Sequence, residues 1–400
     1  MGRVQDCYAI LAHIYTLLRL RPHACIPQVE LSMSERFARL RKTTVHKKSS
    51  IIYLPIVLSL LGLLFVFESS SVRALQEFGD SFHYFKLQAV WIGLGIVGMM
   101  FFSFFDYKKL YYLSFPAMMT TIGMLMLVLL PGLGSTAGGA QSWINFGFFN
   151  IQPTELAKFS VIIYLASWFM NREKKRFVPF ISLLGFLVFI IILQPDLGTA
   201  TMIFILSIVM YYLAGTQLGY LVLLLPASLI GFYVLTKISP YRMRRFSAFL
   251  NPSLDPLGIG YHVNQIAISL QNGGLFGLGF GASRQKFLYL PEAHTDSIFA
   301  IIGEEFGFVG SAMLIFALIV LIYKIYEIAY KAPDRFARLL AGGIFVYFSI
   351  QIVVNLGGMV GLMPLTGVPL PFISYGGSNL LISFAMIGIL LNIRKKGHIK

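Results

Sequence analysis

Long apolar runs, separated by shorter polar segments, make up most of the chain after residue 50. A hydrocarbon core of about 30 Å needs roughly 20 helical residues, and the runs match that length. Because they are continuously apolar, they predict helices rather than the tilted strands of a membrane barrel. The sequence therefore predicts an all-α polytopic membrane protein with ten transmembrane helices, at residues 51–68, 84–105, 110–130, 153–170, 178–194, 197–214, 218–236, 298–323, 338–361 and 373–393.

Composition and charge narrow this class further. The 400 residues are 57% hydrophobic and 12% charged, which excludes an ordinary soluble protein. A formal charge of +15 is compatible with a nucleic-acid partner, but most of the 32 lysines and arginines fall on one side of the predicted spans. This positive-inside pattern predicts that both termini are cytoplasmic. It also accounts for the basic charge, so a nucleic-acid partner is not needed to explain it. We expect a disordered cytoplasmic tail at 1–50, a membrane domain at 51–393 and a short cytoplasmic tail at 394–400.

The predicted external connections are residues 69–83, 131–152, 194–196, 237–297 and 362–372. The longest, the large extracytoplasmic loop between spans 7 and 8, has mixed polarity and ends directly before an apolar run. Glycine and proline concentrate in three of the connections, which is typical of loops with a defined backbone conformation rather than flexible loops. Basic, aromatic and acidic groups gather in 237–297, where a charged lipid-linked substrate could meet protein and water together. We interpret this segment as the part of the protein where the substrate binds and reacts.

Several polar positions have both a functional and a structural interpretation. Glu155 and Lys158 lie three residues apart in the fourth span and can pair, and the cost of such groups in a membrane favours a function over a simple ion pair between helices. Asp196 is either a site carboxylate or the N-cap of the next span. Trp143 is an interface anchor or a sugar-stacking platform, with the anchor favoured. Ser374 is more typical of hydrogen bonding between helices.

The long loop contains the strongest candidates for chemistry. Arg242, Arg244 and Arg245 present planar guanidinium groups that suit phosphate, although an anionic lipid surface would attract them as well. Asp296, two residues after His294, either caps the following helix or acts as a general base at the water boundary. We identify no convincing metal-ligand spacing and no Walker-type glycine loop.

Five of these segments resemble the SEDS family of bacterial cell-wall polymerases, the FtsW, RodA and SpoVE group. They are Gln152–Lys158, Gln194–Thr199, Tyr241–Arg245, Pro291–Asp296 and Pro371–Ser378, within a similarity that runs from about Ile51 to Ile393. The segment from Arg284 to Asp296 looks more like FtsW, the division member, than RodA. Two positions depart from the family pattern, since Ser297 replaces a usual Phe and Asn379 a usual Ser.

The resemblance implies a ten-helix peptidoglycan glycosyltransferase that joins lipid II disaccharides into glycan strands and releases undecaprenyl diphosphate. It also implies the bacterial plasma membrane and the division septum as location, with a class B penicillin-binding protein and other division proteins as partners. Asp296 matches the family's essential loop aspartate. Glu155, Lys158 and Asp196 match its polar cavity residues, and Trp143 matches the tryptophan of the preceding loop.

On this basis we expect an inverting transfer in which Asp296 is the base and cations stabilise the leaving diphosphate. The predicted substrate-binding residues beyond the cavity set are Arg242, Arg244, Arg245, Arg284, Lys286, His294 and Ser374. A divalent cation, Mg²⁺ or Mn²⁺, is a candidate bridge to the diphosphate, although no dedicated site is visible. The alternatives are a lipid II flippase, a scaffold that activates its penicillin-binding partner, and an elongation polymerase of the RodA type.

Overall fold

The computed structural model describes residues 50–130, 134–137, 140–145, 150–170, 177–216, 240–255 and 258–397, with single residues between 219 and 237. All of them belong to one compact unit, Ser49–Lys400. Nearly all of the predicted N-terminal tail, most of the predicted seventh span and residues 398–400 lie outside the described residues. The predictions for those segments therefore stay predictions.

The described ranges contain eleven α-helices. They are α1 (Ser50–Phe78), α2 (His83–Phe104), α3 (Lys109–Val128), α4 (Pro153–Trp168), α5 (Phe177–Leu193), α6 (Leu197–Leu213), α7 (Pro240–Leu250), α8 (Ile259–Gly273), α9 (Ile298–Tyr330), α10 (Arg335–Met359) and α11 (Gly377–Gly397). All except α7 and α8 coincide with predicted spans. Six of them, namely α1 to α3 and α9 to α11, are long and apolar enough to cross a membrane. The chain is therefore a largely helical membrane protein.

The all-α prediction needs a correction in the connection between α3 and α4, which forms a small antiparallel sheet. Its strands are β1 (Gly134–Ala137), β2 (Ala140–Asn145) and β3 (Asn150–Ile151), in the order β1-β2-β3. Ser135 pairs with Trp143 across β1 and β2. In β2, Ser142 and Ile144 are buried while Asn145 is exposed, which is the alternation expected of a strand. Strands this short are not detected by a search for apolar runs of membrane-spanning length.

The long connection at 237–297 contains two helices, α7 and α8, which the sequence analysis treated as loop. On α8, Ile266, Ser269 and Gly273 are buried, and their spacing of three and four residues places them on one face. Because that face packs against α9, the connection is a folded part of the protein rather than a free loop.

Small residues let α11 pack closely against α2 in the centre of the bundle. A Cβ atom at Gly388 would lie 2.4 Å from the carbonyl oxygen of Met99, and one at Gly95 would lie 2.4 Å from the ring of Phe384. On the opposite face of α2, Val97 and Phe101 are exposed. Close approach at small residues inside and apolar side chains outside is the pattern of helices that pack within lipid.

Several of the described connections contact neighbouring helices and one another at one end of the bundle. At one end, Arg335 Nη2 donates to the carbonyl oxygen of Ala214 at 2.9 Å, and Asn392 Nδ2 donates to that of Ser103 at 2.9 Å. Lys396 pairs with Asp106 at the same end. The sequence predicts a cytoplasmic location for these connections, whereas the candidate site lies in a connection that it predicts to be external.

Candidate active site

Residues of two other predicted external connections, 69–83 and 362–372, lie beside the segment 291–297. Arg73, near the end of α1, has its Nη1 atom 3.8 Å from Glu292 Oε1. Arg245 on α7 donates from Nη1 to the carbonyl oxygen of Leu365 at 3.2 Å. Residues that are far apart in the sequence therefore surround Asp296, which lies two residues before the start of α9.

The position of Asp296 is determined by its backbone as well as its side chain. Asn355 on α10 donates from Nδ2 to the carbonyl oxygen of Asp296 at 2.9 Å and to that of Val368 at 2.8 Å. The Thr295 hydroxyl lies 3.3 Å from Asp296 Oδ1. Gly367 faces the carboxylate, since a Cβ atom there would be 3.9 Å from Asp296 Oδ2. Asp296 is thus held between α10 and the connection 362–372, with 9% of its surface exposed.

Burial raises the pKa of Asp296 to about 6, and the nearby Glu292 carboxylate acts in the same direction. The positive charge of Arg245 and the hydrogen bond from Thr295 oppose this rise in the pKa. A carboxylate whose pKa lies slightly below neutral pH is mostly ionised at pH 7 and still basic enough to accept a proton, as general base catalysis requires.

The three arginines of α7 lie on two different faces of the helix. Arg242 is buried and donates from Nη2 to the carbonyl oxygen of Ile192 at 3.2 Å, at the end of α5. Arg245 lies three residues later on the same helix face and is half-buried beside Asp296, whereas Arg244 is exposed. The structure therefore brings Arg245 to the predicted base and leaves Arg244 at the surface.

His294 is packed between two aromatic rings rather than facing solvent. Its ring centroid is 4.6 Å from that of Tyr84 and 5.5 Å from that of Tyr375, and its carbonyl oxygen accepts from the Tyr375 amide at 2.9 Å. Burial lowers the pKa of His294 to about 4. The imidazole is therefore neutral near pH 7 and holds the segment before Asp296 against α2 and the start of α11.

Lys286 and Arg284, which were predicted to bind diphosphate, differ in their surroundings. Lys286 Nζ lies 2.6 Å from Glu68 Oε2 and 3.6 Å from Glu305 Oε1, and 8% of its side chain is exposed. Arg284 has an exposed side chain, and its backbone amide donates to Glu304 Oε1 at 3.4 Å. Lys286 is therefore engaged between α1 and α9, whereas Arg284 is open to an external ligand.

Glu155 and Lys158 form a buried ion pair in the core, with Lys158 Nζ 2.6 Å from Glu155 Oε1. Asn379 Nδ2 donates to Glu155 Oε2 at 3.1 Å, and the Tyr347 hydroxyl donates to the same atom at 3.4 Å. Each side chain of the ion pair is 2% exposed. The structure places this pair between α4, α10 and α11, away from the exposed surface around Arg244 and Arg284.

The remaining predicted site residues have structural contacts. Asp196 caps α6, since Thr199 donates to it from both its amide, at 2.9 Å, and its hydroxyl, at 2.7 Å. Ser374 Oγ accepts from the Leu370 amide at 2.8 Å. Trp143 lies half-buried in β2, within the sheet. The contacts of Asp196 are those of a helix cap, whereas the Ser374 hydroxyl bonds within its own connection rather than between helices.

One polar contact beside Asp296 was not predicted from the sequence. His262 Nε2, on α8, lies 2.6 Å from the hydroxyl of the fully buried Ser297. Burial lowers the pKa of His262 to about 4, so the contact joins two neutral groups. Both residues were visible in the sequence, but nothing in their spacing indicated that they are in contact.

Among the described residues, no group of three or more His, Cys, Asp or Glu side chains is arranged to hold a metal ion. The carboxylates near Asp296 are engaged elsewhere, since Glu292 accepts from the Thr295 hydroxyl at 2.9 Å.

A family model described as "Cell cycle protein", which covers FtsW, RodA and SpoVE, matches residues 48–398. The chain belongs to this family. Stage V sporulation protein E of Bacillus subtilis (strain 168) is 40% identical over 359 residues, covering 87% of this chain and 98% of that protein. A probable peptidoglycan glycosyltransferase FtsW of Geobacter sp. (strain M18) is 37% identical and covers 86% of this chain and 95% of its own length.

Solved structures of the family share the fold. A chain of a peptidoglycan synthase complex, described as coordinating polymerization and crosslinking, superposes with a TM-score of 0.71 and is 27% identical, covering 89% of this chain and 100% of its own. The crystal structure of the rod shape determining protein RodA of Thermus thermophilus gives a TM-score of 0.65 at 26% identity, covering 88% of this chain and 98% of that one.

Proposed function

We propose that this membrane protein is a peptidoglycan glycosyltransferase that polymerises lipid II at the extracytoplasmic face of the bacterial plasma membrane, with ten spans and both termini in the cytoplasm. The observation that carries the proposal is the buried carboxylate of Asp296, whose pKa is raised to about 6 and which lies between α10 and the connection 362–372. Relatives that share more than a third of their residues with this chain are named as peptidoglycan glycosyltransferases.

In the proposed reaction, the Asp296 carboxylate accepts the proton of the 4-hydroxyl group of the acceptor GlcNAc. The hydroxyl oxygen then bonds to C1 of the donor MurNAc from the face opposite the diphosphate. The bond from C1 to the diphosphate oxygen breaks and undecaprenyl diphosphate leaves, so that the configuration at C1 inverts. A positioned base contributes about 10²- to 10⁴-fold, and orientation and charge stabilisation supply the remainder.

Arg245 and Arg242 are the cations best placed for the leaving diphosphate, because they lie on the face of α7 directed to Asp296 and to the end of α5. Exposed Arg244 and Arg284 would meet the substrate as it arrives. Lys158 belongs to a buried ion pair and would act through the packing of the bundle. Mg²⁺ or Mn²⁺, if bound with the diphosphate, would neutralise its charge as it leaves.

We propose septal synthesis during division as the cellular role and a class B penicillin-binding protein as the crosslinking partner, together with other division proteins. The FtsW naming of several relatives supports the role, and the synthase complex that resembles this chain supports a crosslinking partner. An elongation polymerase of the RodA type is the second candidate, since RodA shares the fold.

The proposal is tested by reconstituting the chain in nanodiscs with labelled lipid II, with and without a class B penicillin-binding protein, and separating the products by gel electrophoresis. The wild type is expected to form glycan polymer. Asp296→Asn, which keeps the shape of the side chain, should abolish it without loss of folded protein or partner binding. Asp80→Asn, in the connection between α1 and α2, is the matched control and should retain activity.

A flippase would give the opposite pattern. It would move fluorescent lipid II across liposomes, form no polymer, and tolerate Asp296→Asn. A scaffold would form no polymer alone and would only stimulate its partner. Either result would overturn the assignment of glycosyl transfer to this chain.

A further inference from the structure

Helix α9 is interrupted near its start. Gly307 has φ 63° and ψ −161°, outside the helical region, so the carbonyls of Glu304 and Glu305 separate from the amides of Phe308 and Val309. A glycine-rich segment, residues 274–281, pairs with all four groups and is called the glycine hairpin below. Leu278 N donates to Glu304 O at 3.0 Å, Gly279 N to Glu305 O at 3.0 Å, Phe308 N to Gly274 O at 2.9 Å and Val309 N to Leu275 O at 3.1 Å.

Glycine is required where the hairpin backbone lies against the helix backbone. A Cβ atom at Gly277, whose φ is +81°, would lie 2.1 Å from the carbonyl oxygen of Glu305. One at Gly273 would lie 2.0 Å from the carbonyl oxygen of Gly303. The hairpin and the first turns of α9 therefore form one backbone-paired unit.

The outer surface of this unit is apolar. Phe276 is 80% exposed, Leu275 65%, Phe280 60% and Leu278 46%. Lys286, which follows the hairpin, is turned inward to Glu68 and Glu305. Four large apolar side chains projecting from eight residues would be unfavourable in water, whereas paired backbone groups are what a lipid environment demands.

The position of the break agrees with the edge of the hydrocarbon region. From Phe306 to Tyr323, α9 contains no Asp, Glu, Lys or Arg. This stretch is about 27 Å long at about 1.5 Å per residue, close to the thickness of a hydrocarbon core. Gly307 lies at the end of this stretch nearer Asp296, so the hairpin packs against α9 where acyl chains meet headgroups.

We propose that the glycine hairpin is inserted in the leaflet nearer Asp296, with Leu275, Phe276, Leu278 and Phe280 in contact with lipid acyl chains. The occupant of this apolar surface is the bilayer itself, because the surface continues the exposed face of α9, where Phe308 is 68% and Met313 is 69% exposed. Insertion into a single leaflet is typical of interfacial segments that enter a membrane without crossing it.

Insertion would also fix the depth of residues 291–297, which contain Asp296, relative to the bilayer. Glu304 accepts a hydrogen bond from the Ser283 hydroxyl and from the amides of Arg284 and Gln285, the last two at 3.4 Å. The chain then runs through residues 286–295 to Asp296, directly before α9. The inserted glycine hairpin would hold Asp296 at the depth where a lipid-linked sugar leaves the bilayer. This consequence rests on the proposed function, but the insertion itself does not.

The test places a nitroxide spin label on single cysteines in a background with Cys7→Ser and Cys25→Ser, in nanodiscs of phosphatidylcholine and phosphatidylglycerol without lipid II. Phe276→Cys and Phe280→Cys probe the hairpin. Met313→Cys on α9 is the lipid reference, and Ser253→Cys, exposed between α7 and α8, is the water reference. Collision rates with oxygen, which dissolves in lipid, and with a water-soluble nickel chelate are measured at each position.

We expect both hairpin positions to resemble the lipid reference, with collisions with the nickel chelate roughly tenfold rarer than at Ser253, since apolar neighbours hold the segment out of water. Collision rates at Phe276 and Phe280 that match Ser253 would overturn the insertion. So would loss of oxygen collisions on addition of the class B penicillin-binding protein, because the surface would then be a protein interface. Neither outcome depends on glycan synthesis, so failure here is distinct from failure of the proposed function.

Discussion

The raised pKa of Asp296 predicts how polymerisation depends on pH. The group is the proposed base, so the rate should follow its ionised fraction and fall as the pH falls through about 6. With that pKa, about 90% of the protein carries the carboxylate at pH 7 and about 10% at pH 5. The rate should therefore drop about tenfold between these values. An aspartate with the usual pKa of 3.8 would lose only about 6% of its ionised fraction, and so of the rate, over the same interval.

The assay measures initial rates of glycan formation from labelled lipid II between pH 5 and 8. The lipid II concentration is kept below saturation, because kcat/KM reports the ionisation of the free enzyme. Folded protein is quantified at each pH by size-exclusion chromatography, so that unfolding is not counted as lost catalysis. A rate that is flat from pH 5 to 8 would refute the reasoning, because the midpoint would then lie well below pH 5.

Two neighbouring charges allow the cause of the shift to be tested separately. The Glu292 carboxylate raises the pKa of Asp296 and Arg245 lowers it. Glu292→Gln should therefore move the midpoint of the pH profile down, and Arg245→Gln should move it up, whatever each does to the maximal rate. Shifts of the same sign in both variants would show that electrostatic interaction with these two groups does not control the base.

Three further predictions concern stability, measured as thermal unfolding of the purified protein in detergent. Lys158→Met should lower the free energy of unfolding by about 3–5 kcal/mol, because it leaves the Glu155 carboxylate buried without its cation. Adding Glu155→Gln should recover most of that loss. No recovery would mean that the two residues act independently. Ser297→Ala should cost about 0.5–1.5 kcal/mol through its lost hydrogen bond to His262, and an unchanged midpoint would argue against that bond. Gly277→Ala should prevent normal folding or cost several kcal/mol because its Cβ would meet the Glu305 carbonyl oxygen at 2.1 Å, whereas Gly123→Ala, with nothing within 4 Å, should be tolerated.

The helices were predictable because one physical rule governs them. A run of about 20 apolar residues has few alternatives to a membrane helix, and helices α2 to α6 begin or end within two residues of the predicted bounds. The rule fails where polar residues continue a helix. α1 extends to Phe78, ten residues past its predicted end, where Arg73 and Glu77 form an ion pair one turn apart at 2.7 Å.

The contacts of the site were not predictable from the same pattern. Motifs identified Asp296 and the arginines of α7, but the Asn355 amide that holds Asp296 and the Gly367 that faces it come from elements about 60 to 70 residues away. The break in α9 has a similar cause, since a helix period gives no sign that the backbone of a distant glycine hairpin takes over its hydrogen bonds. Pairing of this kind depends on tertiary structure, which local sequence patterns do not encode.

The surroundings of two buried carboxylates differ in a way that favours Asp296 over Glu155 as the proposed base. Glu155 accepts hydrogen bonds from Lys158, Asn379 and Tyr347, so the Lys158 cation neutralises it and its lone pairs are occupied. Asp296 is also buried, yet among the described residues the one side chain that donates a hydrogen bond to its carboxylate is the Thr295 hydroxyl, at 3.3 Å. Burial without full compensation favours the protonated form, and a carboxylate in that condition gains by accepting a proton from a substrate. The chemistry is therefore expected at Asp296, and the ion pair below it is expected to maintain the fold.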